Sequence, residues 1–181
     1  MSETADLEPK TFDVIAFTKG RNYPEDTVTI YTDEAGAYEL SKLDFKISRT
    51  NPNNPEAVET LERDREDLRE RIKSSALKVH MRAVPFSVLE AIDDKVNAEF
   101  DGEQVTDEEK TERLVHSRLA AHIVSVTNAS GQTDSRTWSA DDIAAWDQAL
   151  PRESVRKLIE TMTALTFKAT YFEEAGLNAD F

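Results

Sequence analysis

The sequence predicts an α+β fold that is predominantly α-helical, with five or six helices and a small two- or three-stranded sheet. Only five glycines and six prolines interrupt the 181 residues, which is typical of a chain with long helices. Residues 155–172 repeat apolar side chains at helical spacing and predict the best-defined helix. Residues 77–84 instead alternate apolar with mostly polar side chains, which is the period of a half-buried strand.

Composition and charge restrict the function classes. The net charge of −14 disfavours a nucleic-acid partner, because phosphate binding needs a basic face. A protein partner with a basic surface, or a charge that serves only solubility, fits better. The chain has no cysteine, which excludes disulfides and thiolate metal sites. The acidic N-terminus and the lack of an apolar run of about 18 residues predict neither a signal peptide nor a membrane span, so a cytosolic protein is expected.

We expect a single helical α+β domain over residues 23–175. It would follow a flexible N-terminal segment, residues 1–22, whose residues 12–17 alternate weakly and could form a strand. Gly176 is a typical helix stop and predicts a C-terminal tail over residues 176–181.

The first half of this domain alternates strand and helix signals. The β-branched run 27–32 predicts a strand that could pair with residues 77–84. Thr32 or Asp33 can cap a helix whose apolar stripe contains Tyr38, Leu40, Leu43 and Ile47. A second helix is expected over 55–73, after an Asn-Pro start. Its narrow apolar seam contains Arg65, and it should either lie on the domain or pair with another chain.

The second half is predicted to be helical apart from its loops. Ser87 and Glu90, and then Thr106 and Glu109, have the spacing of a capping box. Val115, Leu119, His122, Ile123 and Val126 recur at helical spacing, and further helices should begin near Ser139 and after Leu150-Pro151. The expected core consists of Leu77, Val79, Met81, Leu89, Ile92, Leu119, Ile123, Val155, Leu158, Met162, Leu165 and Phe172.

No residue pattern predicts catalysis or a cofactor. His116 and His122 are six positions apart, which separates them around a helix, and His80 lies in the expected strand. Adjacent acidic residues lack the spacing of an EF-hand loop, and neither a glycine-rich phosphate cradle nor a common serine nucleophile motif occurs. We therefore expect no catalytic, metal or cofactor site, and a protein that is not an enzyme.

Aromatic side chains are the better candidates for function. For Trp138 and Trp146 the favoured interpretation is a role as core anchors, and the alternative is a role as exposed contacts. The last helix carries aromatic residues outside its main apolar stripe. We predict Trp146, Phe167 and Tyr171 as partner contacts.

Three stretches resemble the tail assembly chaperones of bacteriophages, especially those that infect actinobacteria. Residues 23–40 are similar to their strand leading into an acidic helix, and residues 77–85, which end in Met-Arg-Ala-Val-Pro, follow a charged helix as in that family. Residues 138–158, with Trp-Ser-Ala-Asp-Asp-Ile and Leu-Pro, lead into the closing helix. Leu89 stands where the family often has tryptophan.

The resemblance implies a non-enzymatic protein of the host cytoplasm. It would bind the long, helical tape measure protein and keep it soluble while tail tube subunits polymerise; self-association or contact with the tail tube protein is a further expectation. Two other functions remain open. One is a structural tail or connector component retained in the virion, and the other is an acidic inhibitor that mimics DNA, suggested by the charge of −14.

Overall fold

The computed structural model describes residues 23–102 and 105–167. Within these ranges it contains six helices and a four-stranded sheet, which confirms the predominantly helical α+β class with one strand more than predicted. The elements in chain order are β1 (Glu25–Tyr31), α1 (Glu34–Arg49), α2 (Pro55–Ser74), β2 (Ala76–Arg82), α3 (Phe86–Glu99), α4 (Asp107–His122), β3 (Ile123–Asn128), β4 (Thr133–Asp134), α5 (Ala140–Ala149) and α6 (Arg152–Phe167).

The sheet is antiparallel throughout, with strands in the order β1-β2-β3-β4. The predicted pairing of β1 with β2 is confirmed, and it runs from Glu25 opposite Arg82 to Tyr31 opposite Ala76. Directly opposed residues share a face. Val28, Val79 and Val126 therefore lie together on the face that is packed, whereas the other face carries polar residues.

One predicted helix is shorter than expected, because its last turns are a strand. The apolar spacing from Val115 to Val126 predicts one continuous helix, but α4 ends at His122 and β3 begins at once with Ile123 in an extended conformation. The segment Ile123–Asn128 contains several β-branched residues, and pairing with β2 satisfies its backbone groups. The register shifts between His80 and Met81, where β3 accommodates an irregularity.

The core lies between the apolar face of the sheet and helices α4, α5 and α6. Helix α6 packs on β1 and β2, and α4 packs on α3, α5, α6 and β3. Leu77, Ile92 and Val155 are half-buried, and Phe172 lies outside the described residues. The expected core residues that are buried are Val79, Met81, Leu89, Leu119, Ile123, Leu158, Met162 and Leu165.

Most helix starts follow the predicted capping residues. The Asp33 side chain accepts a hydrogen bond from the Gly36 N–H, and Asn54 caps α2 ahead of a proline at its first turn. Thr106 and Ser139 form complete capping boxes. Helix α3 is the exception: it begins at Phe86 after Pro85 with no side-chain cap, so Ser87 and Glu90 do not form the predicted box.

Helices α1 and α2 form an antiparallel hairpin that connects β1 to β2, two adjacent strands of the sheet. They pack against each other, and in the described part of the chain neither packs extensively on another element. We call this hairpin, residues 34–74, the arm. The sequence predicts that the charged helix α2 lies on the domain or pairs with another chain, and in the structure it packs on α1 of the same chain.

Candidate protein-interaction surface

The two helices of the arm pack against each other along a narrow apolar seam. Leu61 of α2 is buried, and Leu40, Leu43 and Ile47 of α1 are half-buried. Arg65 interrupts this seam, as the sequence indicates. Its guanidinium lies 2.8 Å from Asp44 of α1 and 3.0 Å from Glu62, and the hydrogen bond to Glu62 is the main cause of its raised pKa.

A polar cluster joins the two ends of the arm to each other, next to the sheet. Asp33 accepts hydrogen bonds from the Gly36 N–H at 2.7 Å and from Arg71 Nε at 2.8 Å, and these contacts lower the pKa of its carboxyl, with the Gly36 bond the larger cause. Arg71 also donates to Glu39 at 2.9 Å. The Ser75 hydroxyl oxygen accepts from the backbone N–H of Asp33 at 3.2 Å.

A glycine is required at position 36 because the side chains of Asp33 and Arg71 approach its Cα closely. A Cβ on Gly36 would lie 2.7 Å from Asp33 Cγ and 2.9 Å from Arg71 Nη2. Both distances are shorter than ordinary van der Waals contact. The glycine that weakens the helix pattern in the sequence therefore makes room for the cap and its ion pair.

The outer side of α1 carries an aromatic and basic stripe, which we call the outer stripe: Tyr38, Lys42, Phe45 and Arg49. These positions follow each other at steps of four, three and four, which places them on one helix face. Tyr38 is 62% exposed and Phe45 is 57% exposed. Lys42 Nζ lies 4.4 Å from the centre of the Tyr38 ring, and the Arg49 guanidinium lies 4.2 Å from that of Phe45.

The position of Tyr38 corrects the predicted apolar stripe of this helix. The sequence groups Tyr38 with Leu40, Leu43 and Ile47, but Tyr38 faces solvent while the three aliphatic residues are half-buried. Tyr38 is two positions from Leu40, which is about half a helical turn. A count at steps of three and four from Tyr38 reaches Phe45, and this signal could have identified the outer stripe.

An open groove lies beside the outer stripe, between α1 and α2. Leu43 and Leu68 form its apolar floor, and charged residues of both signs form its rims. Lys42 belongs to both the groove and the outer stripe. The arm thus presents apolar surface that its own fold leaves uncovered.

The three predicted contact residues do not form a described surface. Trp146 is half-buried, and its ring centre lies 4.7 Å from that of buried Trp138. Only the backbone of Phe167 is described, at the end of α6, and Tyr171 lies outside the described residues. A contact role for these residues stays a prediction.

The histidines are separated, as their spacing predicts. His80 Nε2 lies 2.9 Å from Glu25, whose pKa is lowered chiefly by its hydrogen bond from Arg82. His122 is fully buried, and burial lowers the pKa of its imidazole. His116 is buried on another side of α4, and its Nε2 lies 3.5 Å from Asp147 of α5, a proximity that the sequence alone did not indicate.

Comparison with protein-family models, with curated proteins and with solved structures finds no match to this chain. Among the residues that the structure describes, no helix combines the length and apolar character needed to cross a membrane.

Proposed function

We propose that this protein is a tail assembly chaperone that binds the helical tape measure protein and keeps it soluble. The proposal rests on the resemblance of three sequence stretches to that family and on one structural observation. That observation is the outer stripe, where two large aromatic rings are exposed on a helix that packs mainly against one other helix.

The chemistry of the outer stripe suits an amphipathic helix with acidic residues beside its apolar positions. Exposed aromatic side chains supply large apolar contacts, and aromatic and arginine side chains dominate many binding interfaces. Lys42 and Arg49 lie over the rings and leave positive charge at the contact surface. A helical ligand would place one anchor per turn along the stripe and the adjacent groove.

The arm also places the proposed binding surface away from the core of the domain. Helix α1 is 16 residues long, so the exposed face extends for about 24 Å. The seam, the Asp44–Arg65 pair and the cluster at Asp33 hold α1 in place without contributions from the outer stripe. A chaperone that must release its client benefits from a contact surface that is preformed and on which its own folding does not depend.

Co-expression tests the proposal directly. The chain would be produced together with the proposed partner, a tape measure protein, and the soluble fraction of that protein would be measured. We expect the wild-type chain to raise that fraction, and the double variant Tyr38→Ser and Phe45→Ser to lose the effect while remaining folded. The matched control is Phe86→Ser on α3, which removes another exposed ring (74% exposed) away from the arm.

Two results would contradict the proposal. The first is a partner that is equally insoluble with and without the wild-type chain. The second is full solubilisation by the double variant but not by Phe86→Ser, which would move the contact surface away from the arm.

The contact hypothesis for Trp146, Phe167 and Tyr171 is a separate part of the proposal. The variants Phe167→Ala and Tyr171→Ala should weaken partner binding while the folded fraction is unchanged. If both folding and binding were unaffected, these residues would not be contacts. Trp146 packs against Trp138, so its substitution would also be expected to reduce stability.

A further inference from the structure

We propose that Glu112, His116 and Asp147 form a binding site for a divalent transition-metal ion of the Zn²⁺ class. This site lies between α4 and α5, outside the arm, and the inference does not depend on the proposed function. One ligand atom from each of the three residues lies within 4.8 Å of the other two.

Two of the three ligands are placed by helix geometry. Glu112 and His116 are four positions apart in α4, so their side chains project from one face of the helix. Asp147 reaches the same point from α5, which packs against α4. The ligands thus come from two packed helices, which is a rigid arrangement.

The histidine has the features of a preformed ligand. Its side chain is 9% exposed, and Nε2 faces Asp147 at 3.5 Å. That distance exceeds that of a good hydrogen bond. Among the described residues, Asp147 is the one acidic group within ion-pair distance of this ring. A buried imidazole nitrogen therefore faces the Asp147 carboxylate without a short hydrogen bond to it, and a Glu112 carboxylate oxygen lies within 4.8 Å of a ring nitrogen.

The donor set selects the class of metal. Imidazole nitrogen suits Zn²⁺ and its neighbours in the transition series, whereas Mg²⁺ and Ca²⁺ prefer sites made of oxygen alone. Metal–ligand bonds of about 2.1 Å place tetrahedral ligands about 3.4 Å apart. Glu112 and Asp147 are exposed, so small rotations of their carboxylates can close the remaining gap. A fourth position would be left for water.

Bound metal would link α5 to α4 beside the core. Asp147 follows Trp146, whose ring packs on Trp138, so the ion would fix the part of α5 that covers this aromatic pair. Arg113 of α4 forms an ion pair with Asp141 at the start of α5. The metal would then be a second link between the same two helices.

The test is a titration of the full chain, first treated with a chelator, with Zn²⁺ by isothermal calorimetry. Co²⁺ would serve as a spectroscopic probe, and Mg²⁺ and Ca²⁺ as competitors. We expect one equivalent of Zn²⁺ to bind, visible absorption bands from bound Co²⁺, and a Tm that rises with Zn²⁺ concentration. Glu112→Gln and Asp147→Asn should each weaken Zn²⁺ binding at least about tenfold, since each removes a ligand.

His116→Ala should abolish binding, but this residue is buried and its loss can disturb folding. Glu112 and Asp147 are exposed, and their amide variants keep the test decisive. The control is Asp64→Asn, which removes an equivalent exposed carboxylate from the arm. The inference fails if no saturable site is found, if Mg²⁺ or Ca²⁺ displaces Zn²⁺ at similar concentrations, or if Asp64→Asn weakens binding as much as Asp147→Asn.

Discussion

Asp33 is the residue on which the placement of the arm depends most directly. One carboxylate oxygen caps α1 through the Gly36 N–H, and the other accepts from Arg71 of α2. The same side chain therefore starts one helix and holds the end of the other. Its lowered pKa reflects both contacts, so the ionised form is the one that the folded state favours.

We predict that Asp33→Ala destabilises the protein by about 1 kcal/mol, the usual cost of a lost helix cap. Asp33→Asn should reduce stability less, because its amide oxygen can still accept the hydrogen bond from Gly36. Only the charge opposite Arg71 is lost. Urea unfolding at pH 7 would measure both values. Equal stability of Asp33→Ala and the wild type would show that the cap does not hold the arm.

His122 couples core packing to pH. Its Nδ1 donates to the Arg118 carbonyl oxygen at 2.7 Å, and its Nε2 lies 3.1 Å from the Thr166 hydroxyl on α6. Burial is the main cause of its lowered pKa, and the nearby positive charge of Arg118 acts in the same direction, while the bond to the Arg118 carbonyl opposes them. The folded state therefore takes up a proton on His122 less readily than the unfolded chain does.

The contribution of His122 to stability is fully present above the unfolded pKa of 6.5 and decreases as the pH falls below it. We predict that the wild type loses free energy of unfolding between pH 7.5 and 5.5, and that His122→Gln loses less over the same interval. Urea unfolding at both pH values would measure this. An identical pH dependence in the two proteins would contradict the assignment to His122.

At the scale of elements, sequence patterns were most reliable where one local rule acted alone. The alternation in residues 77–84 correctly indicated a strand, which ends at Arg82 and in which Val79 and Met81 are buried. The Asn54 and Ser139 caps were equally direct, because each depends on contacts within one turn.

The errors arose where tertiary pairing decided between two local options. The apolar spacing that continues into Ile123–Asn128 fits a helix, whereas the β-branched residues of this segment fit a strand. Hydrogen bonding to β2 decides in favour of the strand. The outer stripe was missed because Tyr38 was grouped with Leu40, Leu43 and Ile47 in one apolar stripe. Its exposure follows from the packing of α1 on α2, which one helix alone cannot indicate. The approach of His116 to Asp147 likewise depends on the packing of two helices.

The arm is an insertion whose ends are already adjacent in the sheet. Tyr31 and Ala76 are paired residues of β1 and β2, so a two-residue Asn-Gly turn could join them in place of residues 32–75. We predict that this shortened protein folds, with cooperative unfolding and lower helix content by circular dichroism, and does not bind the partner. A variant that fails to fold would mean that the arm supports the core as well as extending from it.

At the scale of the whole molecule, the basic outer stripe contrasts with a net charge of −14. If exposed aromatic rings supply most of the contact, partner binding should change by only a few fold between low and moderate salt. Binding through the general acidic surface, as in a mimic of DNA, should instead weaken steeply with salt. Titrations at several salt concentrations would distinguish the two.

Ion pairing within the arm agrees with the first outcome, in which partner binding depends only weakly on salt. Several of its acidic residues face arginines of the same hairpin, as Asp44 and Glu62 face Arg65. Such pairs contribute little to stability at an exposed surface, but they neutralise the charge that a DNA mimic would need.

Hydrogen exchange of the chain with and without the proposed partner, a tape measure protein, tests the central claim most directly. We predict that binding slows exchange in peptides from α1, Glu34–Arg49, and leaves peptides from α3, Phe86–Glu99, unchanged. The Tyr38→Ser and Phe45→Ser variant should lose this protection. Protection confined to other elements, with exchange in α1 unaffected, would contradict the assignment of the arm as the binding surface.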